Sequence, residues 1–482
     1  LLRKSWRECS TSEKQLLMIL DIEQRDKDVI VSYYDKEGKV AYKQYPIAQF
    51  QNWYICGENE KGVSTDFKNW DGRPVKLGYA RQFNKFSLNY FIDGLPAKDK
   101  EEILAYNMPK TYFVDIETEI VDGFPKAEEA KSRILSFSII TPERKAIVLG
   151  LEDMDSKSIK KIQDDTNEYF KDFDQDWEFK YHKFNTEYDM VYTFLMKFLP
   201  KFPMMTGWNF INYDWQYIVN RCKRLQIDIA EVGMTKNVDR KDSRPLHIGI
   251  LDYMQLYDKY DRSVKVKESN SLDYVSGQVL NVKKIKYTGG LQDLYRDNFV
   301  KYIYYNVVDS VLVYYIDQKL KSMEVLLTLA NITQMPLYKA ASPVAVTESI
   351  MARKLAEQGM RIGTERKEDG EKDGQYVGAY VKEPILGFYE GVSAFDFASL
   401  YPSIMRQFNI SPDAFVEQVH KSEVAKRRED TNVIVCDNGV VYSKEDSILK
   451  KILGDLYDQR KDYKQMSYEF FTKADRLKKR LS

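Results

Sequence analysis

Two acidic residues lie inside a run of apolar and aromatic residues, 112–117, whose composition predicts a β-strand. Side chains alternate between the two faces of a strand, so Asp115 and Glu117 share one face and the aliphatic residues beside them take the other. Neighbouring carboxylates repel each other and are costly to remove from water, and a divalent cation such as Mg²⁺ or Mn²⁺ offsets both effects. Taken alone, the pair fits ordinary surface acids at a strand end better than a metal site.

Two further segments add acids to this pair. Asp214 follows a turn that contains Asn209, at a predicted helix start. Tyr305 and Asp309 lie four residues apart on one face of a helix predicted over 299–320 from its apolar spacing. Four such carboxylates can hold two metal ions ~3.5–4 Å apart, which clamps the attacking and leaving oxygens of a phosphodiester. The tyrosine hydroxyl can orient the attacking water, although in a chain with 35 tyrosines a core aromatic is the simpler interpretation of Tyr305 alone.

A second candidate site combines an acid with a helix start. The run Val392–Phe397 predicts a strand interrupted by Asp396, after which Ser399 is a candidate N-cap and Pro402 suits a first helical turn. A metal ligand beside free backbone N–H groups suits a metal-bound polyphosphate, and the alternative is a capped helix with a satisfied aspartate.

The last segment, 447–482, predicts a basic helix. In it Arg460 and Lys464 lie one turn apart and could reach the same phosphate, although a solvated charged helix is an equal alternative.

Composition limits the classes of function. The 73 Lys and Arg balance the 73 Asp and Glu, so binding to a polyanion requires a local basic patch. No apolar run reaches the ~18–20 residues of a membrane span, and the few, widely spaced cysteines and histidines argue against a zinc site. We expect a soluble cytoplasmic protein without a membrane partner. Because the first residue is not Met, we also expect a fragment or a processed chain.

The predicted secondary structure changes along the chain. Residues 1 to about 109 show the strand–turn–strand pattern of a β-rich domain, and residues 110 to about 320 alternate strands with helices. A charged stretch, 364–374, marks a boundary, after which strands are predicted again at Gly378–Lys382 and Val392–Phe397. The fold class is therefore α/β, in the mixed α+β sense, with several domains.

In combination, these motifs resemble those of the B-family replicative DNA polymerases, most closely those of T-even-type bacteriophages. Residues 113–117, 209–214 and 305–309 are similar to the three exonuclease motifs, in family order. Residues 396–403 resemble polymerase motif A, residues 376–379 the segment that joins the exonuclease and polymerase parts, and residues 458–461 the start of the fingers helix.

This resemblance implies an architecture. It consists of a β-rich N-terminal domain (1–109), an RNase H-like 3′→5′ exonuclease domain (110–321), a helical return segment (322–367), a partial palm (368–446) and the start of the fingers helix (447–482). Two Mg²⁺ or Mn²⁺ ions per active site are implied as cofactors, with primer–template DNA, single-stranded 3′ ends and dNTPs as substrates.

The resemblance also implies roles for individual residues. The metal ligands of the proofreading site would be Asp115, Glu117, Asp214 and Asp309, with Tyr305 positioning the water. In the polymerase site, Asp396 would bind metal, and the residues that contact the nucleotide would be Ser399, Leu400, Tyr401, Arg460 and Lys464.

Two family motifs do not occur in the sequence. These are the fingers motif of the K-x-x-x-N-S-x-Y-G type and the D-T-D motif with the second catalytic aspartate. We therefore expect an N-terminal part or split subunit of a DNA polymerase, whose nucleotidyl transfer requires a second polypeptide with the remaining fingers, palm and thumb. A sliding clamp would bind only through that missing part, and the location would be the host cytoplasm if the protein is viral. The alternatives are a stand-alone 3′→5′ exonuclease with a vestigial palm and a non-catalytic DNA-binding scaffold.

Overall fold

A computed structural model describes residues 19–56, 66–79, 90–103, 108–121, 123–173, 176–228, 234–235, 244–245, 248–261, 267–363, 380–397 and 399–481. Their contacts divide the chain into two compact units. Unit 1 contains the described residues of 1–49 and 91–346, and unit 2 contains those of 50–90 and 347–482. No helix in the described ranges is long and apolar enough to cross a membrane.

Unit 1 begins with a three-stranded antiparallel sheet in the order β1-β2-β3. Its strands are β1 (Ile19–Arg25), β2 (Asp28–Tyr34) and β3 (Val40–Pro46). A short helix, α1 (Ala97–Ile103), is tied to this sheet by Lys43, whose Nζ lies 2.5 Å from Asp99 Oδ1 and 2.6 Å from Glu102 Oε2.

The centre of unit 1 is a six-stranded mixed sheet in the order β13-β10-β6-β7-β8-β9. Its strands are β6 (Thr111–Thr118), β7 (Ile134–Ile140), β8 (Lys145–Gly150), β9 (Glu178–Lys183), β10 (Met204–Gly207) and β13 (Gly249–Asp252). Strand β6 is antiparallel to β7 and parallel to β10, and β10 is parallel to β13. Two short strands, β11 (Met234–Thr235) and β12 (Arg244–Pro245), pair with each other.

Helices lie between and after these strands along the chain. They are α2 (Ser156–Tyr169), α3 (Glu187–Thr193), α4 (Gln216–Leu225), α5 (Tyr253–Tyr260), α6 (Leu272–Leu280), α7 (Leu291–Asp297), α8 (Phe299–Leu320), α9 (Ser322–Thr333), α10 (Leu337–Ala340) and α11 (Pro343–Glu357). The last of these, α11, crosses from unit 1 into unit 2 at residue 346.

Alternate side chains of strand β6 belong to two different apolar cores, one on each face of the sheet. Phe113 belongs to the core under α8, whereas Val114 and Ile116 belong to the opposite core with residues of α3 and α4. Asp115 has the same parity as Phe113 and therefore faces α8. Helix α8 is buried on most of its circumference, which explains why apolar residues occur on more than one of its faces.

Unit 2 contains a hairpin, a small sheet and a long helix. The hairpin joins β4 (Gln51–Ile55) to β5 (Val75–Tyr79), and the sheet orders β14 (Phe415–Gln418), β16 (Val440–Ser443) and β15 (Val433–Val435). The helices are α12 (Leu400–Gln407), α13 (Val424–Arg427) and α14 (Ile448–Leu481). Ile448 and Ile452 of α14 pack against Leu355 of α11.

The structure agrees with most of the predicted elements. Helix α8 has the predicted bounds, and strand β6 contains the predicted strand 112–117. The strand predicted at Val392–Phe397 is wrong: these residues are exposed and form no strand, because no described segment pairs with them to satisfy their N–H and C=O groups. The strand Gly378–Lys382 and the linking motif 376–379 lie wholly or partly outside the described residues. The five predicted domains and their boundaries stay predictions.

Candidate functional site

The acids of strand β6 lie at the centre of unit 1. Glu117 is buried at 9% exposure, and Asp115 is partly exposed. Asp115 Oδ2 accepts a hydrogen bond of 2.7 Å from Asn306 Nδ2, and Asn306 Oδ1 in turn accepts one of 3.2 Å from Ser136 on β7. A chain of polar side chains therefore fixes the orientation of one of the predicted ligands.

Asp214 contacts the same strand from the segment that follows β10. It lies in a single π-helical turn, 211–215, that precedes α4, as expected for an acid at a helix start. Its Oδ1 accepts a hydrogen bond of 3.0 Å from the backbone N–H of Ile116, which lies between the two β6 acids. A side chain at Gly207 would place its Cβ 2.3 Å from the Val114 carbonyl oxygen, so the close approach of β10 to β6 requires glycine.

Helix α8 supplies the remaining predicted residues. Tyr305 and Asp309 are both buried, one turn apart, and Asn306 between them faces β6. Asp309 Oδ1 is buried and has no hydrogen-bond partner among the described residues. The structure therefore brings together the four acids and the tyrosine that the sequence motifs selected.

Lys284 is a member of this cluster that sequence reasoning missed. Its Nζ lies 2.5 Å from Asp309 Oδ2 and 4.9 Å from the centre of the Tyr305 ring. It comes from the segment between α6 and α7, and its backbone N–H donates a hydrogen bond of 2.8 Å to Oδ1 of Asp273 in the first turn of α6. No spacing rule connects an isolated lysine in a connecting segment to acids 25 residues and more away, so only the tertiary structure identifies it.

The charges of the cluster are strongly coupled. Burial, followed by the charge of Asp309, raises the pKa of Asp115 to about 7. Burial and the charge of Asp115 raise the pKa of Glu117 and of Asp214 well above their ordinary values. Burial alone would lower the pKa of Lys284, but the carboxylate of Asp309 outweighs it and raises that pKa. At neutral pH the site therefore combines acids that resist ionisation with a lysine that is firmly protonated.

A cavity of about 450 Å³ opens onto these residues. Its wall includes Asp115, Lys284, Asp309, Trp208, Asn209 and Met254, together with the start of α6. Asn209 adopts a left-handed backbone conformation, with φ of 57°, which asparagine tolerates better than most residues. The volume lies within the range of about 300–1,000 Å³ that is usual for small-ligand sites.

The residues fit a divalent cation by charge and by donor type. Four carboxylates, one of them with an unpartnered buried oxygen, form the hard oxygen donor set that Mg²⁺ and Mn²⁺ prefer. As they stand, however, no three His, Cys, Asp or Glu side chains of the described residues converge to coordination distance. The lysine ammonium at Asp309 supplies part of the positive charge that this donor set requires.

The predicted polymerase residues of unit 2 form no comparable cluster. Asp396, Leu400 and Tyr401 are exposed, and no ion pair among the described residues joins Asp396 to Arg460 or Lys464, which are exposed on α14.

Ser399 precedes α12 as predicted, but it does not cap the helix with its side chain. The reason is its left-handed conformation, with φ of 53°, whereas a side-chain cap requires the extended region. Pro402 does lie in the first turn of α12.

Comparison with known proteins decides the family. The profile of DNA polymerase family B, exonuclease domain, matches residues 83–275, and the profile of DNA polymerase family B matches residues 332–479. The chain belongs to DNA polymerase family B. The resemblance seen in the sequence motifs is confirmed.

Several polymerases of this family are similar to the chain. The DNA-directed DNA polymerase of Escherichia phage RB69 is 28% identical over 92% of this chain and 53% of its own length. That of Enterobacteria phage T4 is 28% identical over 62% of this chain and 35% of its own length. The DNA polymerase delta catalytic subunit of Plasmodium falciparum is 30% identical over 56% of the chain and 27% of its own length. The chain thus spans about half the length, or less, of these relatives.

Proposed function

We propose that this family B chain is the N-terminal part of a DNA-directed DNA polymerase and carries a 3′→5′ proofreading exonuclease. The observation that supports the exonuclease is that one acid from the 211–215 turn and one from α8 lie next to the two acids of strand β6. The cavity beside them is open to a single-stranded 3′ end, which supplies the scissile phosphodiester.

The four acids would hold the cofactor. Two divalent cations, Mg²⁺ or Mn²⁺, supply when bound the Lewis acidity that activates water and neutralises the phosphodiester oxygens. Of the acids, Asp115 and Glu117 offer a shared strand face, while Asp214 and Asp309 approach it from a turn and a helix. Asn306 holds the Asp115 carboxylate at 2.7 Å and so limits its rotation.

Tyr305 would orient the attacking water, and Lys284 would stabilise the negative charge that develops on the phosphate during hydrolysis. Burial and the charge of Asp309 raise the pKa of Tyr305, so its hydroxyl keeps its proton even in alkaline solution and would be available to donate a hydrogen bond to the attacking water. The Lys284 ammonium, held by Asp309, keeps a positive charge beside the reacting phosphate. Tyr305 comes from α8 and Lys284 from the segment between α6 and α7, so neither side chain takes up space on the face of strand β6 that carries Asp115 and Glu117.

The polymerase activity is proposed to need a further part of the protein. Asp396 is one anchoring acid for nucleotidyl transfer, with Ser399, Leu400 and Tyr401 at the nucleotide and Arg460 and Lys464 at its triphosphate.

Large apolar side chains are exposed in the segment 380–397 and along α14, among them Phe388, Phe395, Tyr463 and Phe471. Apolar surface of this extent marks an interface. We assign it to a second polypeptide with the remaining fingers, palm and thumb, through which a sliding clamp would also bind.

A stand-alone 3′→5′ exonuclease is the second candidate. The contrast between the two sites favours it, since the acids of unit 1 are assembled and the polymerase residues of unit 2 are exposed and dispersed.

One assay tests both candidates. A 5′-labelled primer annealed to a template is incubated with the chain, Mg²⁺ and all four dNTPs, with and without the complementary part. Shortening of the primer by the chain supports the exonuclease in both cases. Extension that appears only on addition of the complementary part supports the polymerase assignment, and extension that never appears supports the stand-alone exonuclease.

A further inference from the structure

A fifth carboxylate lies next to the site without belonging to its metal-binding set. Asp252 is the last residue of β13 and is buried at 3% exposure. It stands beside Gly207, the last residue of β10, with which it is in register. Its carboxylate accepts hydrogen bonds from backbone N–H groups outside strand β6, which sets it apart from the four acids.

The two oxygens of Asp252 bind the starts of two different elements. Oδ1 accepts a hydrogen bond of 3.3 Å from the backbone N–H of Gln255 and so caps α5. Oδ2 accepts one of 3.3 Å from the backbone N–H of Ile211, the first residue of the turn that carries Asp214. One side chain therefore joins the end of β13, the N-terminus of α5 and the 211–215 turn.

The 211–215 turn is held at its start from outside. The N–H groups of Tyr213 and Trp215 donate to the carbonyls of Asn209 and Phe210, which precede the turn, whereas the N–H of Ile211 donates to an acceptor on another element. The first N–H groups of any helical turn lack partners inside it, and a carboxylate there also interacts favourably with the dipole. Asp252 is that acceptor.

We propose that Asp252 is a positioning residue that holds the 211–215 turn, and through it Asp214, in register with strand β6. Asp214 is fixed at one end by the Ile116 N–H and at the other by the turn that Asp252 anchors. This inference rests on the proposed function in one respect, the role of Asp214 as a metal ligand. Loss of the anchor is expected to weaken metal binding, since residues that orient ligands are typically worth about 10–100-fold in metal affinity.

The decisive variant separates anchoring from helix capping. In Asp252→Ser the serine still caps α5, because serine is a favoured N-cap, but it is too short to reach the Ile211 N–H as well. Asp155→Ser is the matched control: Asp155 caps α2 by accepting a hydrogen bond of 2.7 Å from the Ser158 N–H, and none of its hydrogen bonds within the described ranges reaches a residue of the site. Both variants are expected to unfold close to the temperature of the wild type.

Two readouts are measured on the full chain. Hydrogen exchange of the segment 208–215, followed by mass spectrometry without metal, is expected to accelerate in Asp252→Ser and not in Asp155→Ser. The concentration of Mn²⁺ that half-saturates the protein, measured by paramagnetic resonance of free Mn²⁺, is expected to rise about tenfold or more in the same variant only.

The outcomes are distinct. Unchanged exchange, or faster exchange with unchanged Mn²⁺ binding, overturns the proposal. If the wild type itself binds no Mn²⁺, the proposed function fails, and hydrogen exchange alone decides whether Asp252 holds the turn. If Asp252→Ser does not fold, Asp252→Asn, which keeps one acceptor oxygen for two N–H groups, is compared with Asp155→Asn in the same two measurements.

Discussion

The Nζ of Lys284 lies 2.5 Å from Oδ2 of Asp309, with 27% of the lysine side chain and 7% of the aspartate side chain exposed. This ion pair places one ammonium among four carboxylates that all resist ionisation. The lysine is therefore a main source of electrostatic balance in the cluster, and several consequences of this arrangement are measurable.

Removal of the lysine is expected to destabilise the metal-free protein. In Lys284→Met, Asp309 loses its buried partner at pH 8, and breaking a buried pair from one side costs on the order of 3 kcal/mol. At pH 5 the loss is expected to be smaller, because the acids then take up protons instead. Denaturant unfolding in the presence of a chelator measures both values.

The control for this variant is Lys161→Met. Lys161 pairs with Asp165 at the surface of α2, with 66% and 40% of the side chains exposed, and such pairs contribute little. Equal effects of the two substitutions would show that Lys284 has no special role in the cluster.

The stability of the metal-free protein is expected to fall as pH rises. The folded state raises the pKa of Asp115 to about 7, whereas an unfolded aspartate titrates near 4. Between these values the folded state binds more protons than the unfolded state, so the free energy of unfolding declines with increasing pH. Unfolding at pH 5, 6, 7 and 8 measures this slope. Asp115→Asn should flatten it, and a slope that is unaltered by that change would contradict the assignment.

The amide of Asn306 is expected to support metal binding. In Asn306→Ala, Asp115 Oδ2 loses its 2.7 Å donor, and the metal concentration for half-maximal nuclease activity should rise about tenfold. Asn331→Ala is the control, since Asn331 is equally buried in unit 1 but its Nδ2 has no partner in the described structure. A similar change in both variants would point to a general loss of packing.

Local sequence patterns predicted the parts of the site that depend on periodicity. The two-residue period of β6 places Asp115 and Glu117 opposite Val114 and Ile116, and the helical period of α8 aligns Tyr305 with Asp309. These features need no knowledge of the tertiary structure, because each is contained within one element.

The residues of the site that periodicity could not predict are placed by contacts between elements that are far apart in the sequence. Lys284 and Asp252 come from a connecting segment and a strand end, and each acts on residues far from it in sequence. The strand predicted at Val392–Phe397 failed for the same reason, since a strand exists only where a second one pairs with it.

Nucleotidyl transfer is expected only in the presence of the complementary part. Asp396 is proposed as one of the two anchoring acids that the reaction needs, and the apolar residues of 380–397 are exposed. Asp396→Ala should abolish extension by the reconstituted protein and leave 3′→5′ digestion nearly unchanged. Templated extension by the purified chain alone would contradict this proposal.

The most direct test of the proposed exonuclease is digestion of 5′-labelled single-stranded DNA by the chain with Mg²⁺ or Mn²⁺. The wild type should shorten the DNA from its 3′ end, and Asp115→Ala combined with Glu117→Ala should remove most of that activity, because the proposed metal ligands on the shared face of β6 are lost. Digestion by the double variant at the rate of the wild type would show that this cluster is not the nuclease site.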